Sequence, residues 1–383
     1  MVTLEEKHST RGRANALRLV MNGRLDESGL GDGGVFEVLD LCLECRACKA
    51  ECPVGVDVAR FKSEFLADYW RRHGTPLRAR AIGRIHKLAR WGSALAPISN
   101  IVADSVAVRW LTEQFIGIDR RRTLPAWTRD TFARRFVAQG FSPANVVLFN
   151  DTFTNYMTPD IGMAAVDVLR SAGTTVELAP HVCCGRPLIS QGLLDEARDL
   201  ASANADRLHA AAARGQSIVF LEPSCLSAVR EDAPSLLRGD AQRKARTVAG
   251  ACVLFEDYLE RTCQDDPSRL TLQPGPSRLL LHGHCHQKAM GLLPPARALL
   301  ARIPSCTVVD LDAGCCGMAG SFGYATEHYE VSRQIGERRL LPAARTLKEG
   351  EVLVASGLSC RQQVAHFTGV AAVHPATLLR SLL

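Results

Sequence analysis

Four cysteines in the N-terminal part of the chain have the spacing of an iron-sulfur ligand run. The segment LCLECRACKAECP places Cys42, Cys45, Cys48 and Cys52 in the pattern C-x2-C-x2-C-x3-C-P. This pattern is typical of [4Fe-4S] proteins, because its short spacing lets three thiolates reach one cluster while the proline turns the chain away. A zinc knot is the alternative, but it usually needs a second, distant ligand pair. We therefore predict that these cysteines bind a [4Fe-4S] cluster.

The last cysteine of the run carries a further expectation. In two-cluster ferredoxins the fourth cysteine of such a run ligates the other cluster. Cys42, Cys45 and Cys48 would then need a fourth thiolate from elsewhere, and Cys52 would serve a second cluster. Because residues 1–41 contain no cysteine, we expect the missing ligands to come from outside this chain.

A second cysteine motif occurs twice. Cys-Cys-Gly stands at 183–185 and again at 315–317, and each copy is followed by a helical segment, a strand-like run and another cysteine. The second CCG follows the first by 132 residues, and the later cysteine, Cys360, follows its counterpart Cys225 by 135 residues. Two similar offsets with matching surroundings indicate an internal duplication of one α/β unit.

The second copy has enough thiols for a metal centre. Its cysteines fall at the ends of predicted strands, where ligands gather in open α/β sheets. Gly185 and Gly317 tolerate the positive φ that lets two adjacent thiols turn toward one point. The segment HGHCHQKAM adds one more cysteine to the second copy. Four thiols are therefore predicted to converge there: Cys285, Cys315, Cys316 and Cys360.

The first copy lacks a fourth thiol. The positions that correspond to the added cysteine are 150–153, so Cys183, Cys184 and Cys225 have Asp151 as the nearest replacement. An oxygen ligand suits zinc better than an iron-sulfur cluster. Three alternatives are left open for this copy, namely a zinc site, a degenerate site and a purely structural set of thiols.

Other residues near the motifs receive supporting roles. His284 and His286 flank the cysteine of the HGHCH segment, and we predict that they hydrogen-bond around a metal centre rather than ligate it. Three further thiols follow no pattern and are expected to be inert: Cys252, Cys263 and Cys306.

Two unlike regions must position these cysteines. Residues 1–140 are Arg-rich and helical in periodicity, which predicts a helical ferredoxin-like domain. Later in the chain, short β-branched runs alternate with helical segments, which predicts an α/β fold class with parallel sheets and crossover helices. A Pro-rich connector separates a first CCG unit, 141–263, from a second, 277–383. The predicted strands are 145–150, 174–180, 217–223, 277–283, 306–312 and 351–357.

Composition indicates the environment of this chemistry. The chain has 383 residues, 14 cysteines and a net charge of +6, and it shows neither an apolar run that could span a bilayer nor a secretory signal. We expect a cytoplasmic, reducing compartment, where thiols meet metals more often than they form structural disulfides. The most basic stretch, 109–136, is interpreted as a solvated or partner-docking connector, and no nucleic-acid partner is expected.

These motifs together resemble a known family. The paired CCG segments are similar to the cysteine-rich domain of the B subunit of heterodisulfide reductase and of the glycolate oxidase iron-sulfur subunit. A fuller resemblance, over essentially the whole chain, is to the C-terminal iron-sulfur region of FAD-linked oxidases such as D-lactate and D-2-hydroxyglutarate dehydrogenases. The segments that carry it are HSTRGRA (8–14), CLECRACKAECPVGVDVARFKSEFLA (42–67), CCGRPLISQG (183–192), LEPSC (221–225), HGHCHQKA (282–289), CCGMAGSFGY (315–324) and SGLSCR (356–361).

The resemblance implies an electron relay. A flavin oxidises a 2-hydroxy acid, and the iron-sulfur clusters pass the electrons singly to a quinone or cytochrome acceptor. FAD is expected on a partner domain or subunit, because this chain has no dinucleotide fingerprint. In the resembling proteins a first cluster motif precedes the segment like HSTRGRA, so we expect either a split subunit or a fragment with an internal start. Peripheral association with the inner face of the cell membrane is left open.

Two other functions compete with this hypothesis. One is a heterodisulfide-reductase-like thiol-disulfide enzyme, in which a CCG metal centre itself performs catalysis. The lack of a C-x2-C ending after Cys225 and Cys360 counts against it. The other is a zinc-stabilised scaffold that only docks partners, which predicts zinc and no iron at each cysteine centre.

Overall fold

The N-terminal region is helical. The computed structural model describes residues 2–24, 29–137 and 144–383. Up to residue 137 the helices are α1 (Thr10–Met21), α2 (Gly33–Asp40), α3 (Ala47–Glu51), α4 (Val58–His73), α5 (Leu77–Gly83), α6 (Ile85–Ala94), α7 (Ile98–Asp104), α8 (Val106–Ile116) and α9 (Phe132–Arg135).

Helix α4 shows how this region positions the first cysteine loop. Asp57 caps its start by accepting the backbone N–H groups of Ala59 and Arg60, which are unsatisfied within the helix. On one face, Phe65 packs with Leu39 of α2 in a small buried cluster. The loop that carries the cysteine run is therefore held between α2 and α4.

The first α/β unit contains a four-stranded parallel sheet in the order β2-β1-β3-β4. Its strands are β1 (Val146–Leu148), β2 (Val176–Leu178), β3 (Ser217–Phe220) and β4 (Cys252–Leu254). Its helices are α10 (Thr152–Tyr156), α11 (Pro159–Ser171), α12 (Arg186–Ser190), α13 (Leu194–Ala213), α14 (Pro223–Ser227), α15 (Ala233–Leu236), α16 (Gly239–Ala251) and α17 (Phe255–Asp265), with a π-helical turn at Ala228–Asp232.

The second unit repeats this topology. Its parallel sheet has the order β6-β5-β7, and Val373 pairs with Val354 in a parallel bridge at the position that β4 takes in the first unit. The strands are β5 (Arg278–Leu281), β6 (Thr307–Asp310) and β7 (Glu351–Val354). The helices are α18 (Cys285–Ala289), α19 (Leu293–Leu300), α20 (Tyr329–Glu337), α21 (Leu340–Arg345), α22 (Leu358–Thr368) and α23 (Pro375–Arg380).

The predicted α/β class with two repeated parallel units is confirmed. Each of the six predicted strands is present within its predicted range, in a shorter form. Strand β4 was missed, because its three residues run directly into α17 with no turn residue between them.

The two units share a hydrophobic core. Alternate residues of β1 face opposite sides of the first sheet, as expected for a strand. Val146 and Leu148 belong to a buried cluster that also contains Leu279 and Val354 of the second sheet, whereas Val147 faces the first CCG cysteines. The boundary between the units therefore crosses one continuous core.

No helix in the described residues is both long and apolar enough to cross a membrane.

Candidate metal centres

The four thiols predicted for the second CCG unit lie together. Cys285 begins α18 just after β5, and Cys315 and Cys316 follow β6. Cys360 lies in the first turn of α22, which follows β7. Because these three strands are parallel neighbours, their carboxyl ends bring the cysteines to one edge of the sheet. All four are linked by hydrogen bonds, from Cys285 to Cys315, from there to Cys316, and on to Cys360.

These hydrogen bonds separate the thiols into two kinds. The bond from Cys315 lowers the pKa of Cys285, and bonds from Cys315 and Cys360 lower the pKa of Cys316. The same bonds raise the pKa of Cys315 and Cys360. The second centre thus contains two thiols with lowered pKa beside two with raised pKa. A metal needs deprotonated sulfur ligands, so this arrangement fits a cation that replaces the shared protons.

His282 is an additional residue of this site that sequence reasoning missed. Its ligating nitrogen and the sulfurs of Cys316 and Cys360 lie within 4.8 Å of one another. Both ring nitrogens are buried, and the described residues offer them no hydrogen-bond partner apart from the neighbouring sulfur of Cys316, which is rare for buried polar atoms. Thiolates with an imidazole form a donor set suited to iron-sulfur clusters or zinc. The available signal was its place at the end of a predicted strand, in HGHCH.

The two histidines predicted to support the centre differ in their contacts, and His284 reaches the cysteine, with 4.0 Å between its Nδ1 and Cys285 Sγ. His284 caps α18 by accepting the N–H of His286, and its Nε2 lies 3.8 Å from a carboxylate oxygen of Glu222. Burial alone would lower the pKa of His284, but the charge of Cys285 raises it to about 9. The Nδ1 atom of His286 lies 2.7 Å from Ser227 Oγ. These bonds orient the chain on both sides of the cysteine, so their supporting role stays a prediction with geometric support.

Glycines permit the close approach of chain segments at the second centre. Gly317 has φ +94°, and a Cβ there would lie 2.2 Å from the carbonyl oxygen of Ser332. A Cβ on Gly357 would lie 2.3 Å from a ring carbon of His284. Gly185 has φ +84°, so both CCG glycines adopt the conformation that the sequence predicts.

The first CCG unit brings its three thiols together as well. The sulfurs of Cys184 and Cys225 are 3.0 Å apart, and Cys183 is hydrogen-bonded to Cys184. All three side chains are buried.

The fourth position of the first centre differs from that of the second. Asp151 caps α10, where one carboxylate oxygen accepts the N–H groups of Phe153 and Thr154 and the other accepts the Thr154 hydroxyl. Burial raises the pKa of Asp151 to about 6. The carboxylate is therefore largely engaged as a helix cap. From α6, His86 hydrogen-bonds to Cys183, a contact that no sequence pattern indicated.

Two charged residues, one of them buried, connect the centres electrostatically. Glu222 of the first unit accepts the N–H of Leu358 at 2.9 Å, close to Cys360. Arg361 is surrounded by the charges of Glu222, Cys360 and Asp151. The first and second CCG centres therefore share a network of charged groups, although they belong to different repeats.

The ferredoxin-like cysteines divide into three and one. Cys45 interacts with Cys42 and Cys48, and it also interacts with Cys285 of the second CCG centre. Burial and the neighbouring sulfur of Cys285 raise the pKa of Cys45 to about 12. The sulfur of Cys52 instead accepts backbone N–H groups in the turn after Pro53, led by that of Val56, and these lower its pKa.

The backbone around Cys45 is shaped by local conformation. Glu44 and Arg46 both have positive φ values, 50° and 61°, which reverse the chain on either side of the cysteine. Helix α3 then packs against α18, the helix that begins with Cys285. The cysteine loop thus packs against the second CCG centre. The sulfur of Cys52 interacts with backbone N–H groups and not with the other three thiols.

A buried charge network fixes this loop to the first unit. Arg46 is 1% exposed and donates hydrogen bonds to Ser227, Glu231 and Asp232. Since Ser227 also bonds His286, one hydroxyl connects the loop with both CCG units. Breaking one partner of such a buried network costs about 3–5 kcal/mol, because the other charges are left unpaired.

Comparisons with known proteins agree with this geometry. The family model of the cysteine-rich (CCG) domain matches residues 149–230 and 279–365. The chain is 31% identical over 302 residues to the C subunit of anaerobic glycerol-3-phosphate dehydrogenase of Escherichia coli K12, covering 75% of this chain and 72% of that protein. It is 28% identical to D-2-hydroxyglutarate dehydrogenase of Pseudomonas putida, over 97% of this chain but 40% of the relative. The B subunit of fumarate reductase (CoM/CoB) of Methanothermobacter marburgensis is 25% identical, over 82% of this chain and 54% of the relative.

The fold and site define a class of protein. In this class, each of two CCG units brings buried thiols together, and a ferredoxin-like cysteine loop lies beside them. Within that class, the chain belongs to the cysteine-rich CCG family, as the matched domain and the glycerol-3-phosphate dehydrogenase subunit show. The resemblance to the iron-sulfur and cysteine-rich region of FAD-linked oxidases is confirmed. The relatives named above are a dehydrogenase and subunits of another dehydrogenase and of a reductase.

Proposed function

We propose that this chain is the iron-sulfur electron-transfer subunit or module of an FAD-dependent 2-hydroxy-acid dehydrogenase. The packing of α3, which follows Cys45, against α18, which begins with Cys285, carries the proposal. Together with the electrostatic interaction between these two thiols, it supports a close approach of the ferredoxin-like cysteines to the second CCG centre. Clusters bound there would supply one-electron chemistry at potentials set by charge, hydrogen bonds and burial.

The residues of this chain have distinct roles in the proposal. Cys42, Cys45 and Cys48 would hold a [4Fe-4S] cluster, and Cys52 would contribute to a second one. Cys285, Cys315, Cys316 and Cys360 would hold the second metal centre, with His282 facing it. Buried charges such as Arg46 hold the two sites in fixed relation.

The length of the relatives supports a flavin-containing partner. The D-2-hydroxyglutarate dehydrogenases are longer than this chain, which covers 40% of the Pseudomonas putida protein. We propose that FAD and the hydroxy-acid pocket lie on a partner domain or subunit, and that a quinone or cytochrome takes the electrons at the membrane. Peripheral association with the inner face of the membrane would bring the chain to such an acceptor.

Iron content and visible absorbance test the proposal. Protein purified anaerobically and reconstituted with iron and sulfide should be brown, and dithionite should bleach it. Cys45→Ser should lower the iron content by roughly four atoms per chain, the content of one cluster. Cys306→Ser, at a partly buried thiol outside every centre, is the matched control and should retain all iron. Zinc without iron in the reconstituted protein would instead support the scaffold alternative.

A second candidate function follows from one relative. The similarity to the fumarate reductase (CoM/CoB) subunit favours a thiol-disulfide enzyme that uses a CCG centre. Reduction of a mixed disulfide by the reconstituted protein, with a reduced viologen as donor, would support this function. The electron-relay function predicts reduction of quinone analogues and no disulfide turnover in the same assay.

A further inference from the structure

Helices α6, α7 and α8 present a large apolar surface that the proposed function does not use. Nineteen large apolar side chains are exposed among the described residues, and ten of them lie between residues 88 and 115. We define the apolar face by six of these residues: Trp91, Leu95, Ile98, Ile101, Trp110 and Phe115. Exposed apolar residues that occur singly and scattered are normal on a protein surface, whereas a concentration of them marks an interaction site.

The apolar face is held in place from beneath. The side chain of Asn100 donates to the backbone carbonyl of Trp127 and accepts the N–H of the same residue, both at 2.8 Å. Ser93 is buried and donates to the carbonyl of Thr128. These bonds fix the inner sides of α6 and α7 on the connector that follows α8. Trp91 is therefore 70% exposed because of the fold, and not because its helix is detached.

The charge of the segment that contains the apolar face points to one kind of partner. Residues 77–137 carry 12 Lys or Arg against 4 Asp or Glu, a net charge of +8, whereas the whole chain has +6. Some of these cations pair with acidic residues outside the segment, as Arg84 does with Glu196. No acidic residue occurs between 84 and 103. Arg80 and Arg90 are exposed, and in the described part of the chain neither forms an ion pair. Apolar and aromatic groups beside cations match the surface of an anionic bilayer.

We propose that the apolar face docks on the surface of a membrane that contains anionic lipids. Its helices have ten, seven and eleven residues, and such short helices lie in the plane of the interface. Trp91 and Trp110 are suited to the headgroup region, because an indole ring has an apolar body and a polar N–H. The inference rests on the proposed function to the extent that this function needs an acceptor at the membrane.

Docking in this orientation would bring a cysteine centre toward the bilayer. Helix α6 exposes Trp91 on its outer side, while His86 on the same helix bonds Cys183 of the first CCG centre. One helix thus separates the first centre from the proposed membrane surface. The geometry points to the first unit as the part of the molecule nearest to the acceptor.

Vesicle flotation with the reconstituted full chain tests the proposal. We expect binding to phosphatidylcholine vesicles that contain phosphatidylglycerol, and much weaker binding to phosphatidylcholine alone. The variant Trp91→Glu with Ile101→Glu should lower binding at least tenfold. The matched control, Leu4→Glu with Met21→Glu, changes two equally exposed apolar residues outside the face and should bind like the wild type. Arg80→Glu with Arg90→Glu should weaken binding by about fivefold or more for each residue.

Three outcomes would overturn the proposal. The first is that the wild type does not bind anionic vesicles. The second is that the Trp91 and Ile101 variant binds them as well as the wild type does. The third is that this variant changes only the oligomeric state of the chain, as measured by light scattering. The last result would assign the face to contact between two copies of the chain. Circular dichroism and dithionite bleaching of each variant show that it is folded and carries clusters. Because bleaching needs no membrane, a failure of docking leaves the electron-transfer function separately measurable.

Discussion

At the scale of single residues, the second CCG centre contains thiols whose pKa values are shifted in opposite directions. Hydrogen bonds lower the pKa of Cys285 and Cys316 and raise that of their neighbours. His282 faces this set with buried ring nitrogens that have no oxygen or nitrogen partner among the described residues. A buried polar group without such a partner is costly, so the imidazole is best explained by interaction with a bound metal centre.

His282→Ala should therefore weaken the metal centre more than the fold. Removing a residue that holds or orients a metal ligand typically costs about 10–100-fold in metal affinity. We expect faster loss of iron to a chelator and little change in the melting temperature of the apoprotein. His374→Ala is the control, because His374 is equally buried but caps α23. That variant should lower stability and leave iron loss unchanged, and the reverse pattern would contradict a metal-facing role for His282.

At the scale of elements, the CCG motif works through its glycine. Gly317 ends the turn between β6 and the helices that follow, and its Cα approaches the carbonyl of Ser332 in α20. The adjacent thiols can therefore meet Cys360 only if this turn packs closely on α20. The same motif in the first unit is looser, because a Cβ on Gly185 would have no described atom nearer than 3.8 Å.

Gly317→Ala should destabilise the protein and impair its second metal centre. The new methyl group would overlap with the Ser332 carbonyl, and overpacking of this kind costs about 1–3 kcal/mol. Gly320→Ala is a close control, since Gly320 also has positive φ but a methyl group there would have no described atom within 4 Å. Both variants adopt an unfavourable φ, so urea unfolding should show the larger loss in Gly317→Ala. Equal losses would mean that the close approach is unimportant.

At the scale of the whole molecule, the two units are joined by a shared core and by buried polar contacts. Glu256 of α17 accepts a hydrogen bond from Ser356, which follows β7 in the other unit. Burial raises the pKa of Glu256 to about 7, and its second carboxylate oxygen has no partner among the described residues. The interface between the units therefore favours the protonated form of the Glu256 carboxyl group.

Stability should decrease with rising pH because of Glu256. Its carboxyl is protonated in the folded protein up to a pKa of about 7, against a usual value of 4.5. The stabilisation is complete below pH 4.5 and is lost as the pH rises through 7. The shift corresponds to about 3 kcal/mol at roughly 1.36 kcal/mol per pKa unit.

Glu256→Gln should remove most of this pH dependence. We expect its melting temperature to exceed that of the wild type at about pH 8 and to approach it at lower pH. Glu196→Gln is the control, because Arg84 lowers the pKa of Glu196 and the group stays ionised throughout this range. A wild-type melting temperature that does not fall between about pH 6 and 8 would contradict the assignment.

Strand patterns were enough to predict the class of fold, and cysteine spacing was enough to predict which thiols of the second CCG unit lie together. The spacing limits which thiols can reach one cluster, and the 132-residue repeat of CCG indicated two similar units. Strand patterns placed Cys285, Cys315, Cys316 and Cys360 at strand ends, where the parallel sheet brings them together. These features are local or periodic, so they can be recognised without knowing how distant segments pack.

The distant residues that meet the cysteines could be identified only from the folded chain. Cys45 interacts electrostatically with Cys285, and His86 reaches Cys183, although each pair is far apart in sequence. Glu222 of one unit enters the surroundings of the other, and ten exposed apolar residues remain between residues 88 and 115. Such contacts result from the docking of whole helices and sheets, which reduces exposed apolar area over the entire molecule and leaves no periodic mark along the chain.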